Sequence, residues 1–214
     1  MATISNKPLP VPFTILIDQR EGMPYFFHGM RANASRSHRP LVVETKFAHL
    51  KTGDYTIEGL EDLITIERKS LSDLFSTLGQ NRRRFEAEHE RMSQMNFAAV
   101  VVEADAETIL KSPPEGSKLL PKSVYGTYLS WSMRYGVHWY LCEDRRLAEL
   151  TTFRLLEKFY SSHVSNVSNT ENPQGKETEH GNPGCNPSAG ISHDKFDGSI
   201  AGGPPVIDST IDVF

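Results

Sequence analysis

Two short apolar runs constrain the fold of this chain more than any other feature. Residues 13–17 (FTILI) end at Asp18, and residues 97–102 (FAAVVV) end at Glu103. Uncharged runs of this length, rich in β-branched residues, are typical of strands that are buried inside a sheet. We therefore predict two buried strands, each of which delivers a carboxylate at its end.

The segments between and around these runs alternate between strand and helix patterns. Short β-type runs predict further strands at 41–47, 55–57, 63–66 and 137–141, and the second and third of these form a hairpin. Apolar residues at helical spacing predict helices at 70–78, 81–95, 121–135 and 143–160. This order predicts an α/β fold in which helices flank a mixed β-sheet.

The composition of the chain changes near Tyr160. Residues 1–160 carry 21 Lys and Arg against 20 Asp and Glu, whereas residues 161–214 carry 2 against 7. The second segment is rich in Gly, Ser, Asn and Pro and lacks the apolar residues that could offset the entropy of ordering. We predict an N-terminal extension (1–12), one domain (13–160) and a disordered acidic tail (161–214). Because the net charge of −4 comes from the tail, it does not exclude a nucleic-acid partner.

Several classes of protein are disfavoured by the sequence. Two cysteines, Cys142 and Cys185, are too few for a disulfide framework or a cysteine-based zinc site. No apolar run approaches the ~18 residues of a membrane span, and the N-terminus lacks the apolar core of a signal peptide. We expect a soluble protein without a membrane partner, in a bacterial cytoplasm or the host cytoplasm of a virus, or in the nucleus if eukaryotic.

The chemistry of the chain is suggested by Asp54, Glu67 and Lys69. Side chains alternate across a strand, so Glu67 and Lys69 share one face, and the hairpin brings Asp54 towards them. Two neighbouring carboxylates suit Mg²⁺, or Mn²⁺ in its place, and a lysine beside them can orient water or stabilise a developing oxyanion. The spacing alone leaves a second interpretation open, an ordinary surface hairpin with charged side chains.

The residues around this hairpin resemble a known signature. Gly53-Asp54-Tyr55, followed by residues 66–74 (IERKSLSDL), resembles the Gly-Asp-x(n)-Glu-Arg-Lys-x(3)-Asp signature of the XPF-type structure-specific endonucleases. Residues 18–21 (DQRE) resemble an element near the start of the same domain. The resemblance covers about residues 13–160 and implies the fold of the restriction-endonuclease-like PD-(D/E)xK superfamily.

The resemblance implies roles for individual residues. Asp54 and Glu67 would be metal ligands, Lys69 the catalytic lysine, and Asp18 a further acidic group at the metal or the water. Arg20 and Arg68 would hold the electrostatics of the site or contact phosphate, and Glu21 is an additional candidate.

Asp73 has two compatible interpretations. In the family signature it is a catalytic residue. In the segment 70–73 (SLSD) it also fits a capping box at the start of the following helix.

Three consecutive arginines, Arg82, Arg83 and Arg84, stand at a predicted helix start, where positive charge opposes the helix dipole. We favour contact with the DNA backbone over pairing with Glu86, Glu88 and Glu90.

The sequence-based hypothesis is a Mg²⁺-dependent endonuclease that cuts branched or flapped DNA during repair, recombination or replication. The alternatives are a non-catalytic DNA-binding or scaffold protein on the same fold, and a nuclease that acts on RNA. Eukaryotic XPF-type proteins carry a tandem helix-hairpin-helix domain, and neither that domain nor a helicase is expected here. We therefore expect a minimal, stand-alone version whose structure specificity stays open.

Two protein partners are suggested by the sequence. Family members dimerise through the later helical part of the domain, which suggests a homodimer. The apolar, acidic tip that ends at Ile211–Phe214 resembles peptides that dock on sliding clamps, although a featureless end is the simpler interpretation.

Overall fold

A six-stranded mixed sheet forms the centre of the computed structural model, which describes residues 7–32 and 39–170. The strand order is β2-β1-β3-β4-β5-β6. β1 pairs with β2 in parallel and with β3 in antiparallel orientation, and β3 pairs with β4 as the predicted hairpin. β4, β5 and β6 run parallel to one another. The strands are β1 (Leu9–Asp18), β2 (Leu41–Ala48), β3 (Tyr55–Ile57), β4 (Ile64–Lys69), β5 (Phe97–Val102) and β6 (His138–Leu141).

Helices cover both faces of this sheet. The alternation of side chains along β5 shows why both faces need cover, since Val101 enters one apolar cluster and Val100 the other. Phe153 of the last helix packs in the first cluster, and Phe85 packs in the second. The helices are α1 (Leu71–Gly79), α2 (Arg82–Met92), α3 (Ala106–Lys111), α4 (Pro121–Tyr135) and α5 (Arg145–Thr170). The predicted fold class, a mixed sheet flanked by helices, is confirmed.

The ends of the domain differ from the sequence-based boundaries. β1 begins at Leu9, which pairs with Leu41, so part of the expected extension 1–12 belongs to the sheet. α5 continues to Thr170, ten residues beyond its predicted end. Ser161 and Ser165 bond back to the carbonyls of Glu157 and Ser161, respectively, a local arrangement that is compatible with continued helix.

Some predictions concern residues outside the described part. The tail beyond residue 170, with its proposed docking tip Ile211–Phe214, lies there. None of the helices in residues 7–32 and 39–170 combines the length and hydrophobicity needed to cross a membrane.

Candidate active site

The sheet itself positions Asp54. Its backbone carbonyl accepts a 2.8 Å hydrogen bond from Asp18 N–H, and its own N–H donates to the Ile66 carbonyl at 2.9 Å. Gly53 precedes it with φ +73°, and a Cβ atom there would lie 2.0 Å from Oγ1 of Thr65. A glycine is needed at this position, because the backbone must turn left-handed against β4. Asp54 is thus held between β1 and β4.

The predicted hairpin brings Asp54, Glu67 and Lys69 to one cleft of about 380 Å³. Oδ2 of Asp54 accepts a 2.7 Å hydrogen bond from the backbone N–H of Arg68. The Lys69 ammonium donates to Oε1 of Glu67. Glu67 is buried and Asp54 half-buried, so the floor of the cleft holds two carboxylates beside one lysine.

Burial dominates the electrostatics of the two carboxylates. It raises the pKa of Glu67 to about 7, although the neighbouring Lys69 charge acts in the opposite direction. Burial and then the charge of Glu67 raise the pKa of Asp54 well above its usual range. With both carboxylates ionised, the floor would carry more negative charge than one lysine compensates, so further positive charge would stabilise the ionised forms.

Lys69 remains charged in this setting. Burial alone would lower its pKa, but the carboxylates of Glu67 and Asp54 outweigh that effect and raise the pKa above the usual lysine value. Its ammonium also lies 4.7 Å from the ring centroid of Phe85, a cation–π contact. Lys69 is therefore an electrostatic group and a hydrogen-bond donor.

Asp54 and Glu67 fit a divalent cation. Both offer hard oxygen ligands, and both have a pKa raised by burial, so a dication would offset the excess charge. Within residues 7–32 and 39–170, no group of three or more His, Cys, Asp and Glu side chains forms a ready-made metal cluster. The donor set matches Mg²⁺ or Mn²⁺, with the remaining ligand positions open to water and substrate.

Comparison with known proteins identifies the family. Residues 17–152, more than half of the chain, match the ERCC4 domain. The chain belongs to the ERCC4 domain family. Its fold is similar to that of XPF from Aeropyrum pernix (TM-score 0.51, 20% identity, covering 73% of this chain and 69% of that one). A second structure, XPF from Aeropyrum pernix in complex with DNA, gives a TM-score of 0.50 at 19% identity, covering 70% of this chain and 66% of that one.

No curated protein sequence matches the chain. The ERCC4 match and the shared fold confirm the prediction of an XPF-type nuclease domain.

Asp18 of the ERCC4 domain is tied closely to Arg20. Its carboxylate is 1% exposed and accepts four hydrogen bonds. Three come from Arg20 at 2.7 to 3.0 Å, and one comes from the backbone N–H of Leu50 at 2.8 Å. These bonds outweigh burial and lower the pKa of Asp18. Asp18 therefore positions Arg20, whose side chain is 58% exposed at the cleft. Asp18 also lines the cleft, and its role at the metal or the water stays a prediction.

Carboxylates engage the side chain of Arg68. Its guanidinium donates to Oε1 of Glu103 at 2.8 Å and to Oε2 at 2.9 Å, and it approaches Glu21 at 3.4 Å. All three side chains are buried or nearly so: 7% of the Arg68 side chain is exposed, 10% of Glu103 and 8% of Glu21. Arg68 therefore serves the electrostatics of the site, one of its two predicted roles. It also lines the cleft, and its contact with phosphate stays a prediction. Glu21, the additional candidate, is engaged in the same network.

Asp73 forms only part of the predicted capping box, because its carboxylate bonds the hydroxyl of Ser70 where the box requires the Ser70 backbone N–H. Ser70 caps α1 by accepting a 3.2 Å hydrogen bond from Asp73 N–H, and its hydroxyl donates to Oδ2 of Asp73 at 2.5 Å. Asp73 is exposed and also lines the cleft. The capping role is observed, and the catalytic role stays a prediction.

The three arginines of α2 separate into different environments. Arg82 donates to Oγ1 of Thr127 at 2.9 Å and stacks 4.9 Å from the Trp131 ring, so it packs on α4. Arg83 is exposed and does not line the cleft, whereas Arg84 does. In the described part of the chain, none of them pairs with the three glutamates of α2 that the sequence left as alternative partners.

Sequence reasoning missed two features of this cleft. Arg91 lines it from the last turn of α2, and Glu88 lines it between Arg84 and Arg91. Both follow Arg84 at the helical spacing of one face, a signal that the predicted helix 81–95 already contained.

Proposed function

We propose that this ERCC4-domain protein is a divalent-metal-dependent endonuclease that hydrolyses phosphodiester bonds in DNA. The observation that carries the proposal is the meeting of Asp54, Glu67 and Lys69 at the floor of one open cleft. A shared fold with an XPF protein whose structure includes DNA supports a nucleic-acid substrate. The preference for branched or flapped DNA rests on the XPF-type signature in residues 53–73.

Hydrolysis requires water to attack phosphorus and one P–O ester bond to break, while negative charge accumulates on the phosphate oxygens. Asp54 and Glu67 would hold Mg²⁺ or Mn²⁺, which would supply Lewis-acid stabilisation of that charge. Lys69 keeps its proton, so it can donate hydrogen bonds to water or to a phosphate oxygen at the same point. The backbone N–H of Arg68 fixes the Asp54 carboxylate for its role.

A cleavage panel tests this function. Duplex, single-stranded, flap, fork and four-way-junction DNA, with RNA counterparts, are incubated with the protein and Mg²⁺. We expect cleavage of branched or flapped DNA that EDTA abolishes. Asp54→Asn and Lys69→Met should each reduce the rate by about 10²–10³-fold or more, because each removes stabilisation of the transition state.

Lys111→Met is the matched control for Lys69→Met. Lys111 pairs with Glu107 on the exposed surface of α3 and does not line the cleft. Its loss should leave cleavage unchanged. Cleavage at the full rate in EDTA, or by the Lys69→Met variant, would refute the proposed mechanism. DNA binding without any cleavage would favour the scaffold alternative, and selective cleavage of the RNA series would favour the RNA nuclease.

A further inference from the structure

One face of α2 forms a rim of the cleft. Arg84, Glu88 and Arg91 all line it, and their separations of four and three residues place them on one side of a helix. At a rise of 1.5 Å per residue, Arg84 and Arg91 lie about 10.5 Å apart along the helix axis. Both arginines are exposed. We call these two residues the arginine rim.

The arginine rim carries uncompensated positive charge. Arg84 has no ion-pair or hydrogen-bond partner within residues 7–32 and 39–170. Arg91 donates only to neutral acceptors, Oγ1 of Thr52 at 3.2 Å and the Ala87 carbonyl at 3.1 Å. The intervening Glu88 carboxylate instead accepts a 3.4 Å hydrogen bond from Gly53 N–H. Neither arginine of the rim is therefore neutralised by a carboxylate in the described structure.

The arrangement of charge selects the ligand. The floor of the cleft is acidic and suits a cation, while the rim is basic and exposed. A polyanion with regularly spaced phosphates is complementary to the floor and to the rim, because one phosphate could approach a cation bound at the floor while others contact the arginine rim. A DNA strand carries one phosphate per about 3.4 Å of helix axis, so a basic rim ~10.5 Å long can contact more than one phosphate of a strand.

We propose that the arginine rim binds two phosphates of the DNA strand that adjoins the scissile bond. The proposal rests on the proposed function and gives different roles to arginines that are adjacent in the sequence. Arg84 and Arg91 bind DNA, whereas Arg82 packs on α4 and Arg83, beside Arg84, makes no contact with the strand.

The salt dependence of DNA binding tests the rim. Binding of a fluorescein-labelled flap duplex is followed by anisotropy in EDTA between 50 and 200 mM salt, for the wild type and for Arg84→Gln and Arg91→Gln. Each phosphate contact contributes about 0.9 to the slope of log K against log salt concentration. We expect the slope of each variant to be smaller in magnitude by about 0.9. Between 50 and 200 mM salt, the factor by which salt weakens binding should therefore be about threefold smaller for each variant than for the wild type.

Arg83→Gln is the matched control, because it removes the same charge from the same turn of α2. We expect it to retain the wild-type slope. Equal slope changes in Arg83→Gln and Arg84→Gln would overturn the proposal, and so would unchanged slopes in Arg84→Gln and Arg91→Gln. If the wild type binds and cuts DNA in either of these cases, the proposed function stands and only the rim is refuted. If the wild type neither binds nor cuts any DNA, both fail.

Discussion

Removal of the Glu103 carboxylate should destabilise the whole domain. Glu103 follows β5 directly and accepts four hydrogen bonds at 2.8 to 2.9 Å. Two come from Arg68, one from the Tyr25 hydroxyl and one from Arg145. The substitution Glu103→Ala would leave the guanidinium of Arg68, only 7% exposed, with Glu21 at 3.4 Å as its remaining carboxylate partner, and would leave the hydroxyl of Tyr25 without its acceptor.

The expected cost follows from this burial. Breaking a buried ion pair by removal of one partner destabilises proteins by about 3–5 kcal/mol, because the remaining charge stays out of water. For a domain of this size, each kcal/mol lowers Tm by about 2–4 °C, so the expected decrease is about 6–20 °C. Burial acts to raise the pKa of Glu103, but its hydrogen bonds and the Arg68 charge lower it below 4.5. The stabilisation is therefore fully present above pH ~4.5 and is lost as the pH falls through the folded-state pKa.

Urea unfolding, followed by circular dichroism at pH 7 and again at acidic pH, measures this prediction. Glu107→Ala is the control, because Glu107 lies four residues further on and forms an ion pair with Lys111 in which both side chains are more than 70% exposed. An exposed pair contributes about 0–1 kcal/mol, so this variant should unfold almost like the wild type. A loss below about 1 kcal/mol in Glu103→Ala would refute our account of the buried network.

Three further outcomes are expected. Burial lowers the pKa of His89 to about 4, so between pH 6.5 and 4 the unfolded chain binds a proton at this residue and the folded chain does not. Acidification from pH 6.5 to 4 should therefore lower the free energy of unfolding of the wild type on the order of 3 kcal/mol more than that of His89→Phe, as measured by urea unfolding. Gly53→Ala should lower Tm more than Gly59→Ala, because both have positive φ but only the first Cβ would meet Thr65; equal losses would contradict the steric argument. Mg²⁺ at 100 times Kd should raise the free energy of unfolding of the wild type by about 2.7 kcal/mol and so raise its Tm. The Tm of Glu67→Gln should not rise, as thermal unfolding with and without EDTA would show.

The positions of the strands were predictable from the sequence because the signals for them are local. The run before Asp18 and the run before Glu103 became β1 and β5, and the hairpin β3–β4 formed where turn residues separate two short β-type runs. The six-residue helix α3 was missed, because it buries only Ile109 and shows no full period of apolar residues. Its one local start signal, the cap by Asp105, is visible in the sequence only when a helix is already suspected.

The site residues likewise divide into those whose contacts are local in sequence and those whose contacts are long-range. A hairpin joins Asp54 to Glu67 over a short stretch of chain, so their meeting could be inferred from the motif. The environment of Arg68 depends on Glu103, 35 residues away, and that of Asp18 on Leu50, 32 residues away. Such contacts follow from the packing of the sheet, and no spacing within the motif indicates them.

The alternation of side chains along β4 has an evolutionary consequence. Glu67 and Lys69 face the cleft, while the side chain of the residue between them, Arg68, pairs with Glu103 behind it. Glu67 and Lys69, the residues proposed for the chemistry, therefore lie on either side of Arg68, a residue whose loss would destabilise the fold. A descendant released from selection for cleavage can lose the acidic floor and its lysine while Arg68 and Glu103 persist. Such a protein would be recognisable by an intact buried pair beside a neutral cleft.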